Sequence, residues 1–365
     1  MGVPLFKIQD IVLHNNVHVL SSNFSLYGDI SQRVMNILQT FTPYSEIYSI
    51  DEIFLDFSSF SFDLSTYAQR IRQTVSQWVG IPISIGIAPT KTLAKAANKL
   101  AKKQASGVCF LDSQDTIDKA LQSFPVQELW GIGRQLGKSL RERAVYTAYE
   151  FKNLDPRWVR QKYSVIGERI LRELNGVPCL SVEEVSPKKS IQVSRSFGQE
   201  VTTLEGIQES IATHLSRLAE KLRSDELYAG YVSIYFRSNP HREKYACREA
   251  FKIIDPPTND THRLLKEVLP LCKSLFQNGE SYKKAGVLAC NLSQRPTLQR
   301  SFMTCDLNKV EDSSVLSKAM DKINQRFGKN TLQYAACGIH PKWKGKSLSQ
   351  SPSYTTDWSQ LKVVT

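Results

Sequence analysis

The sequence predicts an α+β fold: two sheet-and-helix modules separated by a helical stretch. Three observations carry this. In residues 1–112, amphipathic helix patterns alternate with a hairpin signature and a single β-branched run. Residues 113–180 hold helical periodicity only, and residues 190–295 return to long alternating strands separated by helices. The 365-residue length allows two or three domains, and 41% hydrophobic residues supply more than one core.

Residues 1–22 show no clean period, and VHVLSS reads as a short strand. Residues 29–38 place Ile30, Val34, Ile37 and Leu38 on one helix face. EIYSIDEIFLDF follows, two apolar runs interrupted by Asp51-Glu52, which predicts a hairpin with acids at its tip. Residues 65–79 form a helix with Ser65 or Thr66 as cap. IPISIGIA, bounded by Gly80 and Pro89, reads as a buried strand. KTLAKAANKLAKK is a basic helix with Leu93, Ala96, Ala97 and Leu100 inward, and the helices are expected on one side of the sheet. In the second module KKSIQVSRSF, AGYVSIYFRS, EAFKIID and AGVLACNLS are strands, and GIQESIATHLSRLAEKLRS and THRLLKEVLPLCKSLFQ are helices. VEEVSPKK is a linker. Residues 296–365 offer one helix, SSVLSKAMDKINQRF, and a polar tail with little core-forming power.

The charge is unevenly placed. The net of +12 arises from 14 basic against 13 acidic residues in 1–150, and 33 against 22 in 151–365. A basic rear part beside a near-neutral front suits a polyanion partner next to a metal-dependent core, a merely soluble basic surface being the plainer alternative. Seven scattered cysteines, with no C-x-x-C spacing, read as reduced thiols of a cytoplasmic protein rather than disulfides or a zinc site. No apolar run approaches a membrane span, and the start lacks the features of a secretory signal.

Three motifs carry chemistry. Asp51 and Glu52, adjacent in a strand-like context, point to opposite faces and repel, and hard oxygen ligands of this kind suit Mg²⁺ beside substrate phosphates. For the dipeptide taken alone, a solvated acidic turn is the plainer reading. Lys91, Lys95, Lys99, Lys102 and Lys103 offer a cluster of ammonium groups that can neutralise a triphosphate, or an ordinary wet helix face. Trp130-Gly131-Ile132-Gly133-Arg134, followed by Lys138, matches a helix-hairpin-helix turn whose backbone N–H groups grip a phosphate at a helix N-terminus.

Together with NGVPCLSVEE, SRSFG at 194–198, YKKAGV at 282–287 and SPSYTTDW at 351–358, these stretches resemble the Y-family translesion DNA polymerases of the UmuC type over essentially the whole chain. The resemblance implies a right-handed polymerase with a fingers remnant at 1–22, an incomplete palm at 23–112, a helical helix-hairpin-helix thumb at 113–185, an α+β little finger at 190–295 and a C-terminal tail at 296–365. It implies error-prone synthesis on primed, damaged DNA in the SOS response, by two-Mg²⁺ nucleotidyl transfer from deoxynucleoside triphosphates. Asp51 and Glu52 become metal-binding and catalytic carboxylates, and Lys102 the triphosphate lysine. Gly131, Gly133, Arg134, Lys138 and Arg195 become DNA-backbone contacts, held by thumb and little finger. Implied partners are a UmuD-type accessory dimer, a recombinase filament and the sliding clamp, with Gln299, Phe302 and Met303 as a candidate clamp-binding peptide in which Arg300 replaces an expected aliphatic residue. The implied location is the cytoplasm, at the nucleoid.

The sequence departs from that pattern at its start. The resemblance begins inside the fingers, so about fifty family residues, with a first palm strand bearing another metal-binding Asp and a steric-gate aromatic, are expected to be missing. That leaves a second reading, a non-catalytic damaged-DNA-binding remnant. A helix-hairpin-helix glycosylase or nuclease fits less well, since it leaves the SIDE hairpin unexplained.

Overall fold

The computed structural model describes residues 2–182, 187–242, 245–294, 307–345, 349–361 and 363, with backbone alone for 307–314. The chain divides into two compact units, one comprising 1–186 and 349–365, the other 187–348.

The first unit opens with one 3₁₀ turn, Leu5–Lys7, and the short helix α1, Gln9–His14, neither of which buries a residue. The strand expected at VHVLSS does not form. Residues 17–20 are irregular, and Ser21 alone makes an isolated parallel bridge, to Gln350. Helix α2, Phe24–Gln39, starts earlier than its apolar period, because Asn23 caps it by accepting from the Leu26 N–H at 3.2 Å. The hairpin forms as expected from β1, Ser45–Ile47, and β2, Ile53–Leu55, closing on the pair Ile47 and Ile53. Helix α3, Leu64–Val79, is capped by Asp63 rather than Ser65 or Thr66. The Asp63 carboxylate accepts both of their N–H groups, and these hydrogen bonds hold its pKa below the usual carboxylate value.

The run IPISIGIA gives only a three-residue, half-buried strand, β3, Ile85–Ile87, paired in parallel with β4, Val108–Phe110, across helix α4, Lys91–Ala101. The helices do not lie on one side of this pair. Ile85 packs into a core with Ile71 and Val75 of α3, whereas a side chain on Gly86 would collide with the α4 backbone. Successive strand residues face opposite ways, so α3 covers one face and α4 the other. Among the described residues, β1–β2 and β3–β4 remain two separate two-stranded sheets.

Helices α5, Gln114–Gln122, α6, Arg134–Arg141, α7, Ala148–Lys152, and α8, Pro156–Leu174, complete the unit and share a core with α4 built on Leu93, Ala97, Leu121, Leu140, Phe151 and Leu174. Only a 3₁₀ turn, Val126–Glu128, precedes the G-I-G turn directly, so the expected hairpin has a full helix on one side alone.

The second unit is an antiparallel sheet of β5, Ile191–Val201, β6, Tyr228–Arg237, β7, Cys247–Thr258, and β8, Tyr282–Ser293, in the order β5-β8-β6-β7. Helix α9, Leu204–Ser224, buries Ile207, Ile211, Leu215, Leu218 and Leu222 against Phe197, Val232, Ile234, Phe236 and Val287 of the sheet. The long second helix breaks at Leu269-Pro270 into α10, Thr261–Val268, and α11, Leu271–Leu275, since proline cannot continue an established helical ladder. Helix α12 runs over Leu307–Phe327. The segment beyond α12 is not the passive tail its composition suggested. Cys337 and Trp343 are buried in the core of this unit, and Gly198 donates its N–H to the Trp343 carbonyl at 3.1 Å. Residues 349–352 belong to the first unit, where Ser21 donates its N–H to the Ser349 carbonyl at 2.8 Å and Asn23 Nδ2 donates to the Ser351 carbonyl at 3.2 Å.

Candidate active site

The acidic hairpin is held from several directions. Its turn closes when the Tyr48 and Ser49 N–H groups both donate to the Glu52 carbonyl, at 3.0 and 3.1 Å. Ser31 of α2 donates its hydroxyl to the Ile50 carbonyl at the tip. Within the turn, the exposed Asp51 accepts the Ser49 hydroxyl at 2.6 Å.

Helix α4 supplies the opposing charge. Lys91, Lys95 and Lys99 recur every four residues and so lie on one face. Lys91 pairs with Glu46 of β1, Lys95 Nζ lies 2.6 Å from Glu52 Oε2, and Lys99 Nζ lies 2.8 Å from Glu128 Oε2. The five-lysine cluster of the sequence therefore splits. Three lysines are engaged with carboxylates, while Lys102, the C-cap of α4, and Lys103 are exposed without an ion pair among the described residues.

An aromatic cluster seals the root of the hairpin. Tyr48, Phe54 and Trp130 meet with ring centroids 5.4–5.9 Å apart, and Trp130 Nε1 donates to the Tyr48 hydroxyl at 2.9 Å. Lys95 sits 4.9 Å above the Tyr48 ring, and Lys91 5.0 Å above Phe54. The residue before the G-I-G turn thus touches the strand behind Asp51 and Glu52. Sequence reasoning missed Glu46, Tyr48, Phe54 and Trp130 as parts of the site. The four-residue repeat of Lys91, Lys95 and Lys99 was the available signal.

At the G-I-G turn Gly131 has φ +88°, and a Cβ there would lie 2.7 Å from the Ile170 side chain. Buried Ile132 anchors the turn from below. Gly133 is the N-cap of α6 and brings no side-chain cap, so the first N–H groups of that helix stay open to an incoming acceptor, with exposed Arg134 and Lys138 beside them. Lys138 has only a long surface contact to Glu142, at 3.9 Å.

Arg195 lies in the other unit, on β5. It shares strand parity with Ile191, Val193 and Phe197, and it lines a cavity with His214 of α9, so it stands on the helix-bearing face of the sheet rather than the open one. Gln299, Phe302 and Met303 fall outside the described residues.

The donors present suit a divalent cation in part. Asp51 and Glu52 offer hard carboxylate oxygens on one turn, although Glu52 Oε2 is held by Lys95. Among the described residues no group of three or more His, Cys, Asp or Glu side chains is placed to hold a metal. One or two carboxylates with substrate phosphates completing the shell is the ordinary arrangement for Mg²⁺, so the pair fits that ion.

Residues 1–99 match the impB/mucB/samB family, residues 188–302 its C-terminal domain, and residues 314–364 a domain of unknown function. Protein ImpB of Salmonella typhimurium is 34% identical over 99% of this chain and 87% of its own length. Protein UmuC of Salmonella typhimurium strain LT2 is also 34% identical, over the same shares. The chain belongs to the impB/mucB/samB family. It is a UmuC-type Y-family enzyme, a DNA-directed DNA polymerase of error-prone translesion synthesis in SOS mutagenesis. A solved chimaeric Y-family DNA polymerase built from Dbh and Dpo4 matches with a TM-score of 0.62 at 18% identity, covering 80% of this chain and 83% of that one, and shares the fold. Family membership carries divalent-metal use and DNA and deoxynucleoside triphosphate substrates. No helix among the described residues is long and apolar enough to cross a membrane.

Proposed function

We propose that the turn bearing Asp51 and Glu52 is the catalytic centre of this polymerase, and that it performs template-directed nucleotidyl transfer with Mg²⁺. The observation that carries this is the braced acidic turn, which α2, α4 and Trp130 fix in place while Asp51 remains exposed. Asp51 and Glu52 would hold Mg²⁺, which when bound would supply charge for the triphosphate and lower the pKa of the primer 3′-hydroxyl. Asp51, free of any cation among the described residues, offers the first carboxylate. Glu52 contributes next, once Lys95 releases Oε2. Lys102 reaches the triphosphate from the end of α4 as a mobile point charge. The open N-terminus of α6, with Gly131, Gly133, Arg134 and Lys138, takes a DNA phosphate without reading sequence.

The same reading assigns 23–112 to the palm, 113–185 to the thumb and 190–295 to the little finger, whose Arg195 faces α9 rather than the open side of the sheet. It includes work at the nucleoid beside a UmuD-type accessory dimer, a recombinase filament and the sliding clamp, with Gln299, Phe302 and Met303 as the clamp peptide.

Primer extension by the full chain with Mg²⁺ tests it, beside Asp51→Ala. The variant should lose extension and keep its DNA affinity. Equal loss of both would remove Asp51 from the chemistry and make it a DNA-binding or folding residue. Absence of extension in the parent chain, with DNA binding retained, would make it a non-catalytic DNA-binding relative.

A further inference from the structure

The second unit contains a cavity of about 480 Å³ between β5, α9, α12 and the segment 329–345 that succeeds α12. That size accommodates a small ligand. Its walls carry five cationic side chains and two acidic ones. Both acids are already engaged: Arg217 pairs with Glu220, and Arg223 holds Asp321 through two contacts, at 2.6 and 2.8 Å. Arg195, Lys329 and Lys344 are left without an ion pair among the described residues, so the cavity holds three uncompensated positive charges.

Three further wall residues carry polar atoms that the fold itself does not satisfy, one of them the hydroxyl of half-buried Tyr334. His214 is 2% exposed and Trp343 5%, and neither His214 Nε2 nor Trp343 Nε1 has a hydrogen-bond partner among the described residues. A buried polar atom without a partner is costly, so such atoms mark places where a ligand or water completes the site. The two rings meet edge to face at 5.5 Å. With the proton of the neutral ring on Nδ1, the Nε2 lone pair of His214 is an acceptor. Trp343 Nε1–H is a donor only. The cavity therefore presents the His214 Nε2 acceptor, the Trp343 Nε1–H donor, the Tyr334 hydroxyl and three spare cations.

We propose that this cavity binds a phosphate monoester or hydrogen phosphate. Hydrogen phosphate, or the monoester in its singly protonated form, brings anionic oxygens to Arg195, Lys329, Lys344 and the Trp343 N–H, and one P–OH that donates to His214 Nε2. A fully ionised sulfate or a backbone phosphodiester lacks that O–H. The site stands on the helix-bearing face of the sheet and draws Trp343, Lys344 and Lys329 from the domain of unknown function, giving that segment a ligand-binding role independent of the Asp51 centre.

The test uses the full chain with ¹⁵N-labelled tryptophan, whose five indole N–H signals include that of Trp343, assigned by its loss in Trp343→Phe. Inorganic phosphate, a deoxynucleoside 5′-monophosphate, sulfate and an oligonucleotide without a terminal phosphate are titrated at matched ionic strength. The Trp343 signal should move saturably with phosphate and with the monophosphate, and at several-fold higher concentration with sulfate. Lys344→Gln, with its other four indole signals unchanged, should weaken the phosphate response by roughly tenfold, the loss of one charge-assisted contact. A Trp343 signal that stays fixed, follows sulfate as readily as phosphate, or responds to the oligonucleotide alone would overturn the proposal.

Discussion

Removing the carboxylate of Glu173 should unfold the first unit before the second. Glu173 is fully buried near the end of α8 and takes four hydrogen bonds. Thr92 donates its N–H at 2.9 Å and its hydroxyl at 2.6 Å to Oε2, and the Cys179 and Leu180 N–H groups donate to Oε1 at 3.1 and 3.0 Å. The carboxylate thereby closes the N-terminus of α4 and ties down the strand-like stretch leading to Ser181, whose carbonyl takes Lys91 at 2.5 Å. Glu173→Ala leaves the two buried Thr92 donors and the half-buried Cys179 and Leu180 N–H groups unpaired. Each is worth about 1–3 kcal/mol, they relax together, and the recovered desolvation of the charge offsets part of the loss, so about 4 kcal/mol is expected. Against a domain stability of about 5–15 kcal/mol this is a large fraction. Four of the five tryptophans, Trp78, Trp130, Trp158 and Trp358, belong to the first unit, so urea unfolding followed by tryptophan fluorescence reports mainly on it. With a urea dependence of about 2 kcal/mol per M, the midpoint should fall by roughly 2 M. Glu173→Gln keeps one acceptor and should lose about half as much. A shift below about 0.5 M in the alanine variant would show that Glu173 contributes little net stability and refute the account of α4 anchoring.

Two other outcomes rest on the same geometry. Burial, with Arg195 nearby, lowers the His214 pKa from 6.5 to about 4 against the Ala285 hydrogen bond, so between those values the unfolded chain holds a proton that the folded one does not. The stability of the second unit is then full above pH 6.5 and falls by up to roughly 3 kcal/mol as pH drops toward 4, a slope that His214→Phe should flatten in denaturation series run at several pH values; an unchanged slope would dismiss His214 as its source. For DNA binding, the combined change Arg134→Ala and Lys138→Ala should reduce the slope of log K against log salt by about 0.9 for each DNA phosphate no longer neutralised. Weaker binding at an unaltered slope would place those side chains away from phosphate.

What the sequence disclosed depends on the range over which its signals act. The apolar periods of α2, α3, α4 and α9 reflect neighbours one turn apart, and each helix formed where its period lies. The two-faced packing of β3 was misread as one-sided, although Ile85 and Ile87 alternate with the small Gly86 and Ala88, and a small residue is what a closely approaching helix requires. Partnerships across the chain were not readable. Nothing in KTLAKAANKLAKK reveals that Lys91 and Lys95 meet acids more than forty positions upstream. Nothing in the helix around Glu173 marks that acid as buried, and the polar setting of Trp343 concealed a core residue. Composition averages over such a stretch, whereas one indole among lysines and serines is enough to fix its place.

The paired lysines also bear on how the acidic turn survives in one conformation. Glu46, Asp51 and Glu52 belong to one short hairpin, and three carboxylates there repel each other. Lys91 and Lys95 answer two of them from a single helix face, and both ammonium groups lie over aromatic rings of the same hairpin, so their charges are held close instead of wandering in solvent. Asp51 is the one left without a cation among the described residues, its carboxylate oriented by Ser49. The arrangement is asymmetric by construction. Lys95 Nζ, beside Glu52 Oε2, also lies 4.9 Å over the Tyr48 ring and 5.9 Å over the Trp130 ring, so its charge is held at the turn. Lys95 therefore neutralises one carboxylate of the turn while Asp51 stays open to solvent, an arrangement that a wet helix face or a solvated acidic loop would not make.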